Sequence, residues 1–599
     1  MKMRVADYIA EFVANQQIKN VFMIVGGFSM HLVDAFANHK DIKYTCMHHE
    51  QALAMAAEGY ARETGTIGVA CVTAGPGMTN ALTGVVGAYF DSTPCMIIGG
   101  QTKTKEIKYN GLRQFGIQGF ETLPIFEHVT KYAVVVEDPK TIRYHLEKAL
   151  FIAKSGRPGP VWIEIPLDVQ GSLIEPSELN GFEKPEADKN WKNELIEKLP
   201  KLLEMLKTAK RPLFLFGNGL RTSNSITLAI SIAEKLQIPV ITSRLAIDSI
   251  NSDHPLFVGR PGLYGDRPSH FAIQNADLII SIGCRHCISL IGYDYKEFGK
   301  HAKKVVVDVE APELKKPTLN IDVPINCDAK VFLEELNSIV DKLSVENHDK
   351  WVRKCREWKE NYPIVLSEYA EDSEGINSYY FTDALSKHMK ENDTVVLDTS
   401  SCFHVVSQAI KIKKGQRFMT TGGLSTMGYA LPTAVGVSVV KQHGQTVCIA
   451  GDGSLQMNIQ ELQTMAHYKL PIKLFVWNND GYLLIRHTQN SHMKGRLVGE
   501  STKSGLSCPD LEKLAWAYGI KFIRVAKVSK LDDAINETLN FDGPVICEIV
   551  TPHNQLIVPR ISSEKLPDGR MISKAYDDLY PFLDRETYEK ESNYFKSEG

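Results

Sequence analysis

No apolar run in this 599-residue chain reaches the length needed to span a bilayer. There is no dominant charge either: Lys+Arg 68 against Asp+Glu 71 leaves a net charge of −3, which argues against a general role on nucleic acid or a membrane surface. The N-terminal residues Met1-Lys2-Met3-Arg4 lead into an amphipathic helical pattern with no apolar signal core, so a cytosolic protein is expected. The eleven cysteines do not form a disulfide framework. Cys71, Cys95, Cys448 and Cys547 sit inside apolar strands, the usage of reduced core thiols. Cys284-Arg-His-Cys287 has no second ligand pair to make a zinc site. Low-complexity tracts and residue-level repeats are also missing. The dinucleotide fingerprint is defective, because Gly217-Asn-Gly219-Leu-Arg-Thr222 carries threonine where its third glycine belongs.

What the chain does have is an ordinary globular composition, 43% hydrophobic and 23% charged, over a length that suggests about three or four domains. Short apolar runs alternate with helical patterns in three blocks, which predicts an α/β protein of three doubly wound parallel-sheet domains. The first block, 1–172, has strands expected near Asn20–Val25, Tyr44–Met47, Gly68–Val72, Pro94–Ile98 and Val161–Ile165. Gly171 to Asn190 reads as a linker. The second block, 191–345, has strands near Leu213–Phe216, Val240–Ile241, Leu278–Ile282 and Val305–Val309. Asn347 to Asp372 reads as a linking helix outside any core. The third block, 375–555, places strands near Val395–Leu397, Val447–Ala450, Leu474–Trp477 and Val545–Ile549, and a polar tail occupies 556–599.

The densest chemistry is Gly451-Asp452-Gly453-Ser454, answered by Asn478-Asn479 and Gly481-Tyr482. Each half follows an expected strand, and one helix, expected over Gln456–Tyr468, separates them. Glycines flanking Asp452 let backbone approach a ligand, and a phosphate there would meet the N–H groups opening a helix. A carboxylate, an amide oxygen and a loop carbonyl are hard ligands that suit Mg²⁺ when phosphate oxygens complete the shell. In the first block, His48-His49-Glu50 falls at a strand-to-helix junction, where the helix dipole favours a carboxylate.

Together these segments resemble the thiamine-diphosphate (ThDP) enzymes of the acetolactate synthase, pyruvate oxidase and pyruvate decarboxylase group. The resemblance rests on the GDG-to-NN pairing and on His49-Glu50, Ala52, Met55-Ala56 and Gly59-Tyr60-Ala61-Arg62. Val25-Gly26-Gly27, Thr73 to Asn80 (with Pro76) and Gly422 to Gly428 agree with it. It covers the chain to about residue 550, in the order PYR, middle and PP domain, and is closest to the acetolactate synthase-like branch. It implies a carboligase that decarboxylates pyruvate or a related 2-oxo acid and passes the acyl unit to a second carbonyl. It further implies that Asp452, Asn479 and the Gly481 carbonyl hold Mg²⁺, and that Glu50 acts on the aminopyrimidine ring so that the cofactor's C2 loses its proton. Gly26, Gly27 and Gln118 would line the reacting centre. Pro76, Asn80, Ser400, Ser401, Ser425, Met427, Gly451, Gly453, Ser454 and Tyr482 would contact the cofactor, with Met427 beneath its bend. Lys131, Arg486 and His487 are candidates for substrate contact. Arg285 and Asp308 fall where flavin-containing relatives use an arginine and an acid, which leaves FAD open. The resemblance also implies a homodimer or homotetramer whose sites combine Glu50 of one chain with Asp452 of another.

Departures concern the acceptor. Ser401-Cys402-Phe403 replaces the Gln-His-Gln of the synthases, and Thr488 stands about where they carry a tryptophan. The tail from Arg560 looks like that of relatives associated with surface-sugar synthesis. Acetyl transfer to a nucleotide keto-sugar is therefore the leading alternative, with simple decarboxylation behind it.

Overall fold

A computed structural model describes residues 1–107, 111–185, 190–371, 374–565 and 570–596. It contains three six-stranded sheets, every pairing within them parallel. The first sheet runs in the order Lys43–Cys46, Asn20–Met23, Gly68–Val72, Cys95–Gln101, Val161–Pro166, Tyr132–Val135. The second runs Phe257–Gly259, Val240–Thr242, Pro212–Phe216, Leu278–Ile282, Lys303–Asp308, Val323–Asn326. The third runs Arg417–Met419, Thr394–Leu397, Thr446–Gly451, Ile472–Asn478, Val545–Val550, Lys521–Val525. Central strands such as Thr446–Gly451 and Leu278–Ile282 are buried along almost their whole length, as sheets covered by helices on both faces require. The strands that apolar runs alone do not reveal all lie at sheet edges: Tyr132–Val135, Phe257–Gly259, Val323–Asn326, Arg417–Met419 and Lys521–Val525. Most have one partly exposed face, so their sequences carry no continuous apolar signal.

The first and third domains pack through two helices, Glu50–Thr64 and Ala430–Ser438. Glycines permit the contact: a Cβ on Gly436 would stand 1.9 Å from the Ala56 carbonyl, and one on Gly59 would stand 2.3 Å from that of Thr433. Both domains consequently contribute to one continuous apolar core.

Three expectations are corrected. The segment after Gly453 is not one helix over Gln456–Tyr468. A helix begins at Asp452 itself (Asp452–Leu455), continues as a 3-10 turn (Gln456–Asn458) and resumes at Glu461–His467. The stretch from Asn347 is not a detached linker, because helix Asp349–Asn361 buries Trp351 and Trp358 in the core of the second domain. Gly171 onward is pinned as well: Leu173–Ile174 pairs antiparallel with Met3–Arg4. Within the expected linkers, residues 186–189 and 372 lie outside the described residues.

The tail folds back on the second domain. The Tyr576 ring stacks on His270 with centroids 4.3 Å apart, its hydroxyl donates to the Leu290 carbonyl, and Glu591 receives the Trp358 indole N–H. Among the described residues, no helix is long and apolar enough to cross a membrane.

Candidate active site

The first half of the site lies where the first sheet's strands end. Strand Lys43–Cys46 leads through His48 and His49 into helix Glu50–Thr64. His49 caps that helix, its imidazole accepting the Gln51 amide at 3.1 Å. Glu50 is therefore the first helical residue, with its carboxylate at the positive end of the dipole. The Asn80 side-chain amide donates to Glu50 Oε2 at 3.0 Å, so two of the expected residues meet directly. Asn80 belongs to helix Pro76–Phe90, whose entry requires Gly75 at φ +68°, ψ −118°. A Cβ on Gly77 would lie 3.5 Å from Glu50 Oε1, and one on Gly75 would lie 2.9 Å from the Gln118 Cβ. Gly26 closes on the same turn, since its Cβ would stand 2.4 Å from that of Thr73. Gly27 next to it faces open space. The structure thus gathers Glu50, Pro76, Asn80, Gly26, Gly27 and Gln118.

Lys131 is not among them. Its ammonium is held at 2.5 Å by the Ile152 and Ser155 carbonyls at the end of helix Ile142–Lys154, and burial pulls its pKa down to about 8. Two of its three donors are thus spent on a helix C-terminus.

The second half occupies the centre of the third sheet. Strands Thr446–Gly451 and Ile472–Asn478 are hydrogen-bonded neighbours, with Gly451 opposite Trp477, so Asp452 and Asn479 emerge side by side. The Gly481 amide donates to Asp452 Oδ2 at 2.9 Å, tying one turn to the other. Gly481 sits at φ +117°, and a Cβ there would be 2.0 Å from the Glu500 carbonyl. Burial pushes the Asp452 carboxyl up to about 6. Asn479 is only 6% exposed, yet its side-chain oxygen has no hydrogen-bond partner. A buried carboxylate beside an orphaned amide oxygen is the donor set of a hard cation. Tyr482 packs its ring over Gly453, where a Cβ would be 2.3 Å from it.

The loop Gly422–Gly428 is tied down at both ends. At its end, the Gly428 amide is shared by Asp398 Oδ1 (3.0 Å) and Ser454 Oγ (3.1 Å), and its carbonyl receives the Asn458 amide at 2.7 Å. Ser425 and Met427 lie between the anchors, Ser425 at φ +57°. Ser400 adopts φ +65°, ψ −135°, close to the geometry of Gly75, and in both domains that residue immediately precedes a helix. A non-glycine residue in this region is strained by roughly 1–3 kcal/mol, a cost found at ligand clamps. Ser401 opens helix Ser401–Ala409 and is buried. Asp398 is missing from the motif reading; its signal is an acid one residue after strand Thr394–Leu397.

Arg486 also departs from expectation. It is 1% exposed, forms a 2.5 Å ion pair with Glu500, and donates to the carbonyls of Asn479, Asp480 and His553. It braces the loop that carries Asn479 and has no free donor face for a substrate. His487 beside it is different: it is half-buried and its ring faces the Gln555 backbone.

A cavity of about 1090 Å³ opens at the strand ends of the second sheet, includes Arg285 and Asp308, and reaches Asp91 of the first domain and Phe403 and Gly422 of the third. It lies at the switch point between Pro212–Phe216 and Leu278–Ile282, where Gly217 approaches Gly283 so closely that a Cβ would be 2.0 Å from its carbonyl. Burial pushes Asp308 up to about 6. Among the described residues no His, Cys, Asp or Glu group has the geometry of a ready metal cluster, Cys284 and Cys287 included.

Family comparisons agree with this division. Residues 3–131 match the thiamine pyrophosphate enzyme N-terminal TPP binding domain, 199–336 its central domain and 398–549 its C-terminal TPP binding domain. A probable acetolactate synthase large subunit from Methanococcus aeolicus is 31% identical over 594 residues, 96% of this chain and 95% of the relative. This chain is an acetolactate synthase-like member of the thiamine pyrophosphate enzyme family. The acetolactate synthase large subunit of Cyanidium caldarium is 30% identical over 93% of this chain and 94% of its own length. That of Lactococcus lactis subsp. lactis is 29% identical over 91% and 92%. In this ThDP enzyme the first sheet is the PYR sheet, the second that of the middle domain and the third the PP sheet.

Proposed function

We propose that this enzyme is a ThDP- and Mg²⁺-dependent carboligase that decarboxylates pyruvate or a close 2-oxo acid and joins the acyl unit to a second carbonyl. The observation that carries the reading is the Asp452–Asn479 pair: a buried carboxylate and an unpartnered amide oxygen on adjacent central strands. Asp452, Asn479 and the Gly481 carbonyl would hold the cation, with diphosphate oxygens completing its shell. The helix opening at Asp452 would turn its positive end toward that diphosphate, and Ser400 and Ser401 open a second helix beside it. ThDP supplies an electron sink for the electrons released on decarboxylation. Glu50 supplies a carboxylate at a rigid helix start, steadied by Asn80, to share a proton with the cofactor's ring nitrogen. Gly26, Gly27 and Gln118 would line the space taken by a small 2-oxo acid.

A site shared between two chains is part of the proposal. Pro76, Thr79 and Asn80 are solvent-exposed beside Glu50, and the nearby apolar residues Val25, Phe115 and Ile117 are 63%, 65% and 80% exposed. A partner's PP domain would cover that face. The chain's own PP domain meets the middle of helix Glu50–Thr64, at Ala56 and Gly59, and the backbone before it, at Cys46 and His48, so it leaves that exposed face uncovered. The middle-domain cavity has the size of a nucleotide site, and Arg285 and Asp308 would face such a ligand. A flavin absorbance band in pure protein decides whether that ligand is FAD.

The test is product analysis with ThDP and Mg²⁺, using pyruvate alone and then pyruvate with a panel of carbonyl acceptors that includes nucleotide keto-sugars. Acetolactate, acetoin or a mass-shifted acceptor supports ligation. Acetaldehyde as sole product in every arm would overturn it.

A further inference from the structure

Two buried carboxylates cross the contact between PYR and PP domains of the same chain, each bonded to backbone of the other domain. Glu461, on PP helix Glu461–His467, is 0% exposed. Its Oε1 accepts the His48 amide at 3.1 Å, the His49 amide also points at the carboxylate, and its other oxygen takes the Thr464 hydroxyl at 2.6 Å. The Tyr468 hydroxyl, one turn further on, receives the Cys46 amide at 2.8 Å. The turn that presents Glu50 is therefore held by the PP domain and not by PYR residues alone.

The reciprocal case is Asp91, directly after PYR helix Pro76–Phe90 and 4% exposed. Its two oxygens accept the Gly422 amide at 2.8 Å and the Gly423 amide at 2.7 Å. Those amides begin the loop that carries Ser425 and Met427. A side chain on Gly423 would strike the Phe90 Cβ at 2.6 Å, so the close approach depends on glycine. Arg62 lies against Asp91 and donates to the Thr420 carbonyl at 2.8 Å, fixing the strand end before the loop.

We infer that Glu461 and Asp91 are paired positioning residues: Glu461 sets Glu50 through the His48–His49 backbone, and Asp91 sets the Ser425–Met427 loop through Gly422 and Gly423. Neither touches the reacting groups. Both act on backbone, where a misplacement of about 1 Å costs about 10²-fold in rate. The inference rests on the cofactor reading above for what is positioned, and on the hydrogen bonds alone for how.

The variants Glu461→Ala and Asp91→Ala, with Glu461→Gln and Asp91→Asn as conservative partners, separate the two clamps. Hydrogen–deuterium exchange of cofactor-free protein reads them without activity. Glu461→Ala should deprotect the Cys46–Glu50 segment and leave Thr420–Leu424 unchanged, and Asp91→Ala should do the converse. The Gln and Asn variants, which keep one acceptor oxygen, should restore most of the protection. In kinetics, Glu461→Ala should lower kcat by about 10- to 100-fold at nearly constant ThDP affinity. Asp91→Ala should weaken ThDP affinity by about tenfold, as loss of a loop contact would. Added to Glu50→Gln, Glu461→Ala should cause no further loss, because it acts through Glu50. Unchanged exchange at both segments, or losses that multiply in the double variant, would overturn the inference. A fully active Glu50→Gln enzyme would instead overturn the cofactor reading, leaving the exchange data to judge the clamps.

Discussion

The Gly481 amide donates to the Asp452 carboxylate across 2.9 Å, joining the turn that ends one central strand to the turn that ends its neighbour. Asp452 therefore keeps its other oxygen only for its own Gly453 amide and for whatever binds between the turns. The Asn479 side-chain oxygen waits unpaired beside it. This geometry makes the metal assignment testable by removal.

Asp452→Ala and Asn479→Ala should each release Mg²⁺ and ThDP on dialysis against a chelator, where the parent protein rebinds both on metal addition. Affinity losses of about 10- to 1000-fold are expected from removing a charged or neutral ligand, or ~1.4–4 kcal/mol. Cofactor retention equal to that of the parent would sink the ligand roles.

Glu50→Gln should lower turnover by about 10²- to 10⁴-fold and spare cofactor binding, since the amide fills the same space and can still bond to Asn80. Calorimetry of ThDP binding and pyruvate turnover read the two effects separately. Lost affinity with full activity per bound cofactor would contradict a proton-handling role.

Arg486→Met should behave as a stability mutation. It leaves Glu500 buried and unpaired and removes the donors that hold the Asn479 loop, a loss of about 3–5 kcal/mol for a broken buried pair. The expected result is a lower melting temperature and weaker metal binding. A selective rise in acceptor KM at unchanged stability would return Arg486 to the substrate site.

Gly436→Ala should loosen the PYR–PP contact. Its Cβ would meet a backbone carbonyl at 1.9 Å, which no rotamer change relieves, so overpacking of at least about 1–3 kcal/mol is expected. Thermal unfolding measures it, and an unshifted midpoint would show that the helices separate at little cost.

Asp308 gives a pH dependence. Burial raises its carboxyl from 3.8 to about 6, so the folded state holds its proton more tightly than the unfolded chain. The resulting stability is fully present below pH 3.8 and is lost as pH rises through about 6, a span of about 2–3 kcal/mol. Asp308→Asn should flatten that part of the stability–pH curve and gain on the parent at neutral pH. An identical slope in both proteins would show that Asp308 is ordinarily solvated.

Much of the fold is legible in the chain because central strands are buried on both faces and read as unbroken apolar runs, as in Leu278–Ile282. Edge strands such as Lys521–Val525 are not, since their exposed faces tolerate charge. Helix Asp349–Asn361 misleads for a related reason: its charged face dominates its composition, while Trp351 and Trp358 on the other face lie deep in a core.

The cofactor class is determined by sequence alone, because each phosphate- or ring-binding element is local. A strand end, a tight glycine turn and a helix start fit within a few residues around Asp452, Asn479 and Glu50. Tertiary structure decided which polar side chains remain free. Arg486 is paired with the buried Glu500 and Lys131 donates to the carbonyls that end a helix, whereas the Asn479 oxygen is left open. It also brought in Asp91 and Glu461, whose partners lie 331 and 413 residues away along the chain. Burial and hydrogen-bond pairing depend on neighbours supplied by another domain, and no local pattern records them.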